Sequence, residues 1–133
     1  MNFVFKKQNL LYIIVFAIGL TLYACSSDVD KQLKEAADTA NSQCPRFLDE
    51  WTRLDSCSVQ PGRIYCYYHT ISQPIIDTTA FKASFEPIII NKIIKGDPSM
   101  RFFRENGVTL EYQYNNANGG YICRIVMTPE KYK

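Results

Sequence analysis

The chain has 133 residues, of which 47% are hydrophobic and 21% charged, with a formal net charge of +2, the balance of an ordinary globular domain. Its surplus bases, Lys6 and Lys7, stand at the start, and the residues after Cys25 set 13 acids against the remaining bases in equal number. A neutral domain lacks the clustered Lys and Arg that phosphate backbones require, so nucleic acid is not expected as a partner.

In chain order, residues 1–9 carry two lysines and no acid, and residues 10–21 form an uncharged apolar run. Leu22-Tyr23-Ala24-Cys25 comes next, followed at once by polar Ser26-Ser27-Asp28. An export signal's apolar region runs ~7–15 residues, whereas a spanning helix needs ~17–25. The pattern therefore predicts a signal peptide over 1–24, a short tether over 25–30 and a single domain over 31–133. Leu22-Tyr23-Ala24-Cys25 resembles a lipobox, with Tyr23 in place of the small residue usual there. That resemblance implies that the Cys25 thiol is acylated and becomes the first mature residue, anchoring the chain to a membrane; each buried methylene contributes ~0.8 kcal/mol. Ser26 after the cysteine resembles an outer-membrane sorting signal, which implies an outer-membrane lipoprotein of the bacterial cell envelope.

Four further cysteines, Cys44, Cys57, Cys66 and Cys123, remain in the domain. An even number in an exported domain invites disulfides, in three possible connectivities. No C-x-x-C pair is present and His69 is the single histidine, so neither a metal site nor a cofactor is expected.

Residues 28–44 read as a helix with Val29, Leu33, Ala36, Ala37, Ala40 and Cys44 on one stripe, capped by Asp28 or Asp30 and ended by Pro45. A hairpin, 51–59 and 63–71, comes next around Pro61-Gly62, a type II turn signature. Centred there, it places Val59 opposite Ile64, Cys57 opposite Cys66 and Asp55 opposite Tyr68. A strained Cys57–Cys66 bridge is one outcome, with Cys44–Cys123 then remaining; buried free thiols are the other. Residues 78–95 carry a dense apolar pattern that predicts the central core helix, capped by Asp77 or Thr78, kinked at Pro87 or split into two segments with Pro87 opening the second, and ended at Gly96. A short helical turn is expected in 97–104, with Asp97 as cap and Pro98 at its first position.

A second hairpin, 108–114 and 121–128, closes the chain. Pairing Tyr114 with Tyr121 puts Tyr112 opposite Cys123, Leu110 opposite Ile125, Val108 opposite Met127 and Glu111 opposite Arg124. The order is helix, hairpin, helix, hairpin, which predicts an α+β fold: a four-stranded antiparallel sheet with both helices packed on one face.

No catalytic constellation stands out. His69 has no visible orienting partner, and Gly119-Gly120 belongs to a hairpin turn rather than a phosphate loop. Tyrosine is the unusual residue, with nine in the chain. Tyr65 and Tyr67 share a strand face with His69, which reads as the outer face and hence as a candidate contact patch. Asn41-Ser42-Gln43-Cys44-Pro45, Asp49 and Thr52-Arg53-Leu54-Asp55 together resemble a motif of small uncharacterised bacterial envelope lipoproteins. In that group it also lies between a first helix and a hairpin, and the closing half is similar at Asn106-Gly107-Val108, Tyr112 and Tyr114. The group carries no established activity, so the resemblance transfers no functional residue. The expectation is a lipid-anchored, non-enzymatic envelope domain that binds another envelope protein. An inhibitor or immunity-type lipoprotein that neutralises a toxin or hydrolase is the alternative, and a small enzyme the third reading.

Overall fold

The computed structural model describes residues 28–133. The predicted signal, the tether up to Ser27 and the Cys25 anchor lie outside the described residues. The chain divides into a unit ending at Gln32 and a second unit, Leu33–Lys133, which holds the sheet and the remaining helices. Among the described residues no helix is long and apolar enough to cross a membrane.

Helix α1 covers 28–42, ending two residues short of the predicted limit. Its stripe is real: Leu33 and Ala37 are buried, and Ala36 and Ala40 are half-buried beside them. After it come a two-residue strand β1 (Arg46–Phe47), β2 (Thr52–Gln60) and β3 (Ile64–Ile71). The crossover is α2 (Thr78–Ile88), a π-helical segment (Ile89–Ile94), a 3-10 turn (Pro98–Met100) and α3 (Arg101–Glu105). Strands β4 (Thr109–Asn116) and β5 (Tyr121–Met127) come next, and a short helix α4 (Pro129–Tyr132) ends the chain.

The α+β class holds, but the sheet has five strands in the order β1-β2-β3-β4-β5 and is mixed rather than antiparallel. The added strand is β1, antiparallel to β2 through Arg46–Leu54 and Phe47–Arg53. The two hairpins meet through their inner strands, and β3 and β4 run parallel from Ile64–Thr109 to Ile71–Asn116. A helical crossover connects those strands, and such a connection returns the chain in the same direction.

Both hairpin registers differ from the sequence expectation, each for a local reason. The first turn takes three residues, with Gly62 at φ 89° and Arg63 at φ 57°, instead of a two-residue type II turn. A left-handed third position matches the strand twist, which a type II turn does not. The ladder consequently slips by one: Ser58 pairs with Cys66, Cys57 with Tyr67, and Asp55 bulges out between Leu54 and Ser56. A slip of one reverses faces, so Cys57 and Cys66 point to opposite sides of the sheet and no bridge joins them. The second hairpin slips by two, pairing Tyr112 with Ile125 and Tyr114 with Cys123, which preserves the apolar face. Glu111 and Arg124 stay 3.0 Å apart as diagonal neighbours. Cys123 on β5 lies three strand spacings from β2, ~14 Å at ~4.8 Å each, beyond the ~4.4–6.8 Å that a disulfide spans between Cα atoms. A Cys44–Cys123 bridge is excluded on the same ground, since Cys44 precedes β1 on the far side of β2. Cys44, Cys57, Cys66 and Cys123 are free thiols here.

The expected central core helix is not one. No residue of α2 is buried, although Asp77 caps it as predicted by accepting from the Thr79 and Ala80 N–H groups. Only Ile89 and Ile94 of the π segment reach the core. The core itself is the helix-side face of the sheet: Leu110, Ile125, Met127 and Val108 are fully buried. Tyr132 of α4 seals its end, donating its hydroxyl to the Val108 carbonyl at 2.5 Å.

Candidate binding groove

Alternation along the strands fixes the floor of a groove. On β3 the helix-side residues are Tyr65, Tyr67 and His69; on β4 they are Tyr112 and Tyr114. The parallel register sets Tyr67 beside Tyr112 and His69 beside Tyr114. Their four rings stack nearly parallel, with the Tyr67–Tyr112 centroids at 4.9 Å and 12°, and His69–Tyr114 at 4.8 Å and 17°. Tyr65 meets Phe103 edge-on at one end, and Phe81 meets Tyr114 edge-on at the other. The contact residues expected from sequence are therefore together, but on the helix-covered face and not the outer one. Tyr65 and His69 are 2% and 4% exposed.

Helix α1 forms one wall with Ala36 and Ala40, and α2 with its π extension forms the other with Phe85, Ile88, Ile89 and Ile93. The alanines keep α1 low and no α2 residue is fully buried, yet the floor is largely covered, with Tyr65, His69, Tyr112 and Tyr114 each at most 4% exposed. A cavity of about 920 Å³ remains between the walls, in the range of small-ligand and anchor pockets, ~300–1,000 Å³. Exposed apolar side chains, Leu48, Ile88 and Ile93 at 49%, 44% and 39%, stand around it among polar ones such as Glu35, Arg46 and Asp97. Large exposed apolar side chains grouped around a concavity mark a contact site rather than ordinary surface.

Two polar groups sit in this floor. His69 Nδ1 lies 3.3 Å from the Gln113 carbonyl oxygen; a carbonyl only accepts, so Nδ1 carries the hydrogen and Nε2 is left as an acceptor. Burial pushes the imidazole below its ordinary range. Tyr112 is buried, and among the described residues nothing hydrogen-bonds its hydroxyl. The histidine is oriented by a backbone carbonyl and not by a carboxylate. Burial raises the Cys57, Cys66 and Cys123 thiols above their ordinary range. Among the described residues no group of three or more His, Cys, Asp or Glu could hold a metal ion.

The residues of the sequence motif gather at the α1–β2 connection and do structural work there. The Asn41 carboxamide accepts the Cys57 N–H at 2.7 Å and donates to the Cys57 carbonyl at 2.9 Å. Asp49 accepts from the Trp51 and Thr52 N–H groups, both at 2.8 Å, and the first of these holds its carboxyl below the usual range. Asp55 joins Arg53 to Thr70 on the open face. What sequence reasoning missed was the second wall. Its only signal is an apolar run over 78–95 too dense to have a solvent face, and such density reads as core.

A family described as a domain of unknown function, DUF8479, matches residues 27–122, and the chain belongs to it. No curated protein matches the chain. Three solved structures share its fold. The type 2 secretion system pilotin EpsS of Vibrio vulnificus is 13% identical, with a TM-score of 0.63 over 80% of this chain and 94% of that one. A protein of Pseudomonas aeruginosa described as secreted is 11% identical, at 0.59 over 80% and 94%. The type II secretion system pilotin AspS of Vibrio cholerae is 11% identical, at 0.57 over 79% and 93%. At these identities the likeness is one of fold.

Proposed function

We propose, from its place in the DUF8479 family and the fold it shares with two secretion-system pilotins, that this chain is a lipid-anchored, non-enzymatic envelope protein that holds a partner protein in its groove. The observation that carries the reading is the groove between two helices, with an aromatic floor and exposed apolar side chains at its rim. A trough between two helices suits an amphipathic segment of a partner, laid in with its apolar face down. Rigid tyrosine rings give large contact area at small entropic cost, as hot-spot residues do. The anchor at Cys25 is supported by the lipobox-like Leu22–Cys25. An anchored chain would meet its partner in the envelope. The inhibitor reading gains no specific observation, since an inhibitor would present a projecting loop and the distinctive surface here is a concavity.

The test is site-specific photo-crosslinking in intact cells of a host envelope. A photoreactive residue at Ile93, on the groove rim, is expected to give a discrete protein adduct in the membrane fraction. The same residue at Arg124, on the open sheet face, is expected to give none. Equal adducts from both positions, or none from Ile93, would overturn the groove reading. Release of the Cys25→Ser chain from the membrane fraction checks the anchor separately.

A further inference from the structure

We propose that Cys44 and Cys57 form a disulfide that staples the end of α1 to β2 when the chain meets a thiol–disulfide oxidoreductase or a small disulfide. The inference rests on the geometry of the α1–β2 connection and is independent of any partner in the groove.

The connection brings these two residues together through the backbone. Asn41 grips both the N–H and the carbonyl of Cys57, so the last turn of α1 is fastened to that residue itself. The Cys44 N–H donates to the Asn41 carbonyl at 3.1 Å, which keeps Cys44 in the same turn. Two residues later Arg46 pairs with Leu54, so the intervening chain returns along β2 past Ser56 and Cys57. Cys57 faces the helix side, opposite Tyr67. Cys44 is near enough that a charge on it would act on both Cys57 and its neighbour Tyr65. The competing pairings fail: Cys66 is on the other face, and Cys123 is three strands away from Cys57.

The chemistry balances as ordinary exchange. Cys44 is the more accessible of the two, being half-buried where Cys57 is buried. Its thiolate attacks the reagent's disulfide and expels one half as a thiolate. The Cys57 thiolate then attacks the Cys44 sulfur and expels the other half. Two protein thiols lose two protons and two electrons, and the reagent's disulfide becomes two thiols. The closed loop is short, and its constraint would fix the wall of the groove that Thr39, Ala40 and Gln43 line.

The experiment uses the full chain, purified without reductant and treated with oxidised glutathione. Non-reducing peptide mapping by mass spectrometry is expected to show the Cys44 peptide joined to the Cys57 peptide and separated by dithiothreitol. The oxidised chain should melt on the order of 10 °C higher than the reduced one. The Cys44→Ser chain should lose that shift while melting like the reduced wild type. Four alkylatable thiols at Cys44, Cys57, Cys66 and Cys123 after oxidation would overturn the inference. So would a 57–66 or 44–123 cross-link, or glutathione retained on Cys44. If Cys44→Ser does not fold, the wild-type peptide map alone decides.

Discussion

Where α1 ends, the Asn41 carboxamide stands in for a strand, taking the donor and the acceptor that β2 offers at Cys57. The opposite case is Tyr112, whose hydroxyl is buried with no hydrogen-bond partner among the described residues. An unmet buried group costs about 1–3 kcal/mol. Tyr112→Phe keeps the stacked ring and should therefore raise stability by roughly 1 kcal/mol in urea denaturation; a loss of that size would mean that something satisfies the hydroxyl. His69 gives a pH prediction. Its folded pKa is depressed by burial, so between the folded and unfolded values the unfolded chain binds the proton more readily. Its contribution is complete above the unfolded value, about 6.5, and is lost as pH falls through the folded one. Unfolding midpoints should decline as pH falls below about 6.5, and His69→Phe should flatten that decline. Asp49, Asp97 and Glu130 are also depressed, but from carboxylate values, so their loss comes at more acid pH. Sequence could show that Tyr65, Tyr67 and His69 share a face, because alternation dictates it. It could not show which face the helices cover, because that is decided by packing partners far away in the chain.

The elements divide by how local their causes are. The Asp77 and Asp97 caps form as expected, since a cap needs only its own next few residues. Hairpin existence was legible from alternation, but register was not. A change of one in turn length moved Cys57 from Cys66 to Tyr67, and Pro61-Gly62 alone does not exclude a left-handed Arg63. Helix α2 has the pattern of a core helix because Phe81, Phe85, Ile88 and Ile89 recur at helical spacing, yet burial also needs something on the other side. With no buried residue, α2 is held by few interior contacts. Its amides should exchange with deuterium well before those of β3 and β4, whose ladders lie at the sheet centre. Equal protection across α2 and β3 would contradict this ranking.

The whole molecule is two hairpins joined edge to edge by the parallel β3–β4 pair, with helices along one face. The sequence suggested the hairpins and the helices, but the junction depends on which strand edges meet after a long crossover, and no local pattern encodes that. The groove was illegible for the same reason, being a gap between elements rather than a property of any one. It is open to a test at this scale. Ala40→Trp would place an indole from α1 into the cavity. The substitution should leave the unfolding midpoint within about 1 kcal/mol of wild type, because Ala40 is half-buried on the cavity wall rather than in the packed core. It should also abolish the adduct formed from Ile93; retention of that adduct in a folded Ala40→Trp chain would separate the crosslink from the groove.

The parallel junction has a consequence for the order of events in the life of the chain. Tyr67 and His69 come from the first hairpin, Tyr112 and Tyr114 from the second. Each hairpin can zip up from its own turn, yet neither alone carries more than half of the aromatic slab. The slab exists only once β3 and β4 have found each other across the intervening helices, a slow, long-range closure. A chain in which only one hairpin has formed therefore holds at most half of that surface. Any ligand that needs the whole slab can bind only after that closure, and its binding would in turn favour the closed form over a half-assembled one.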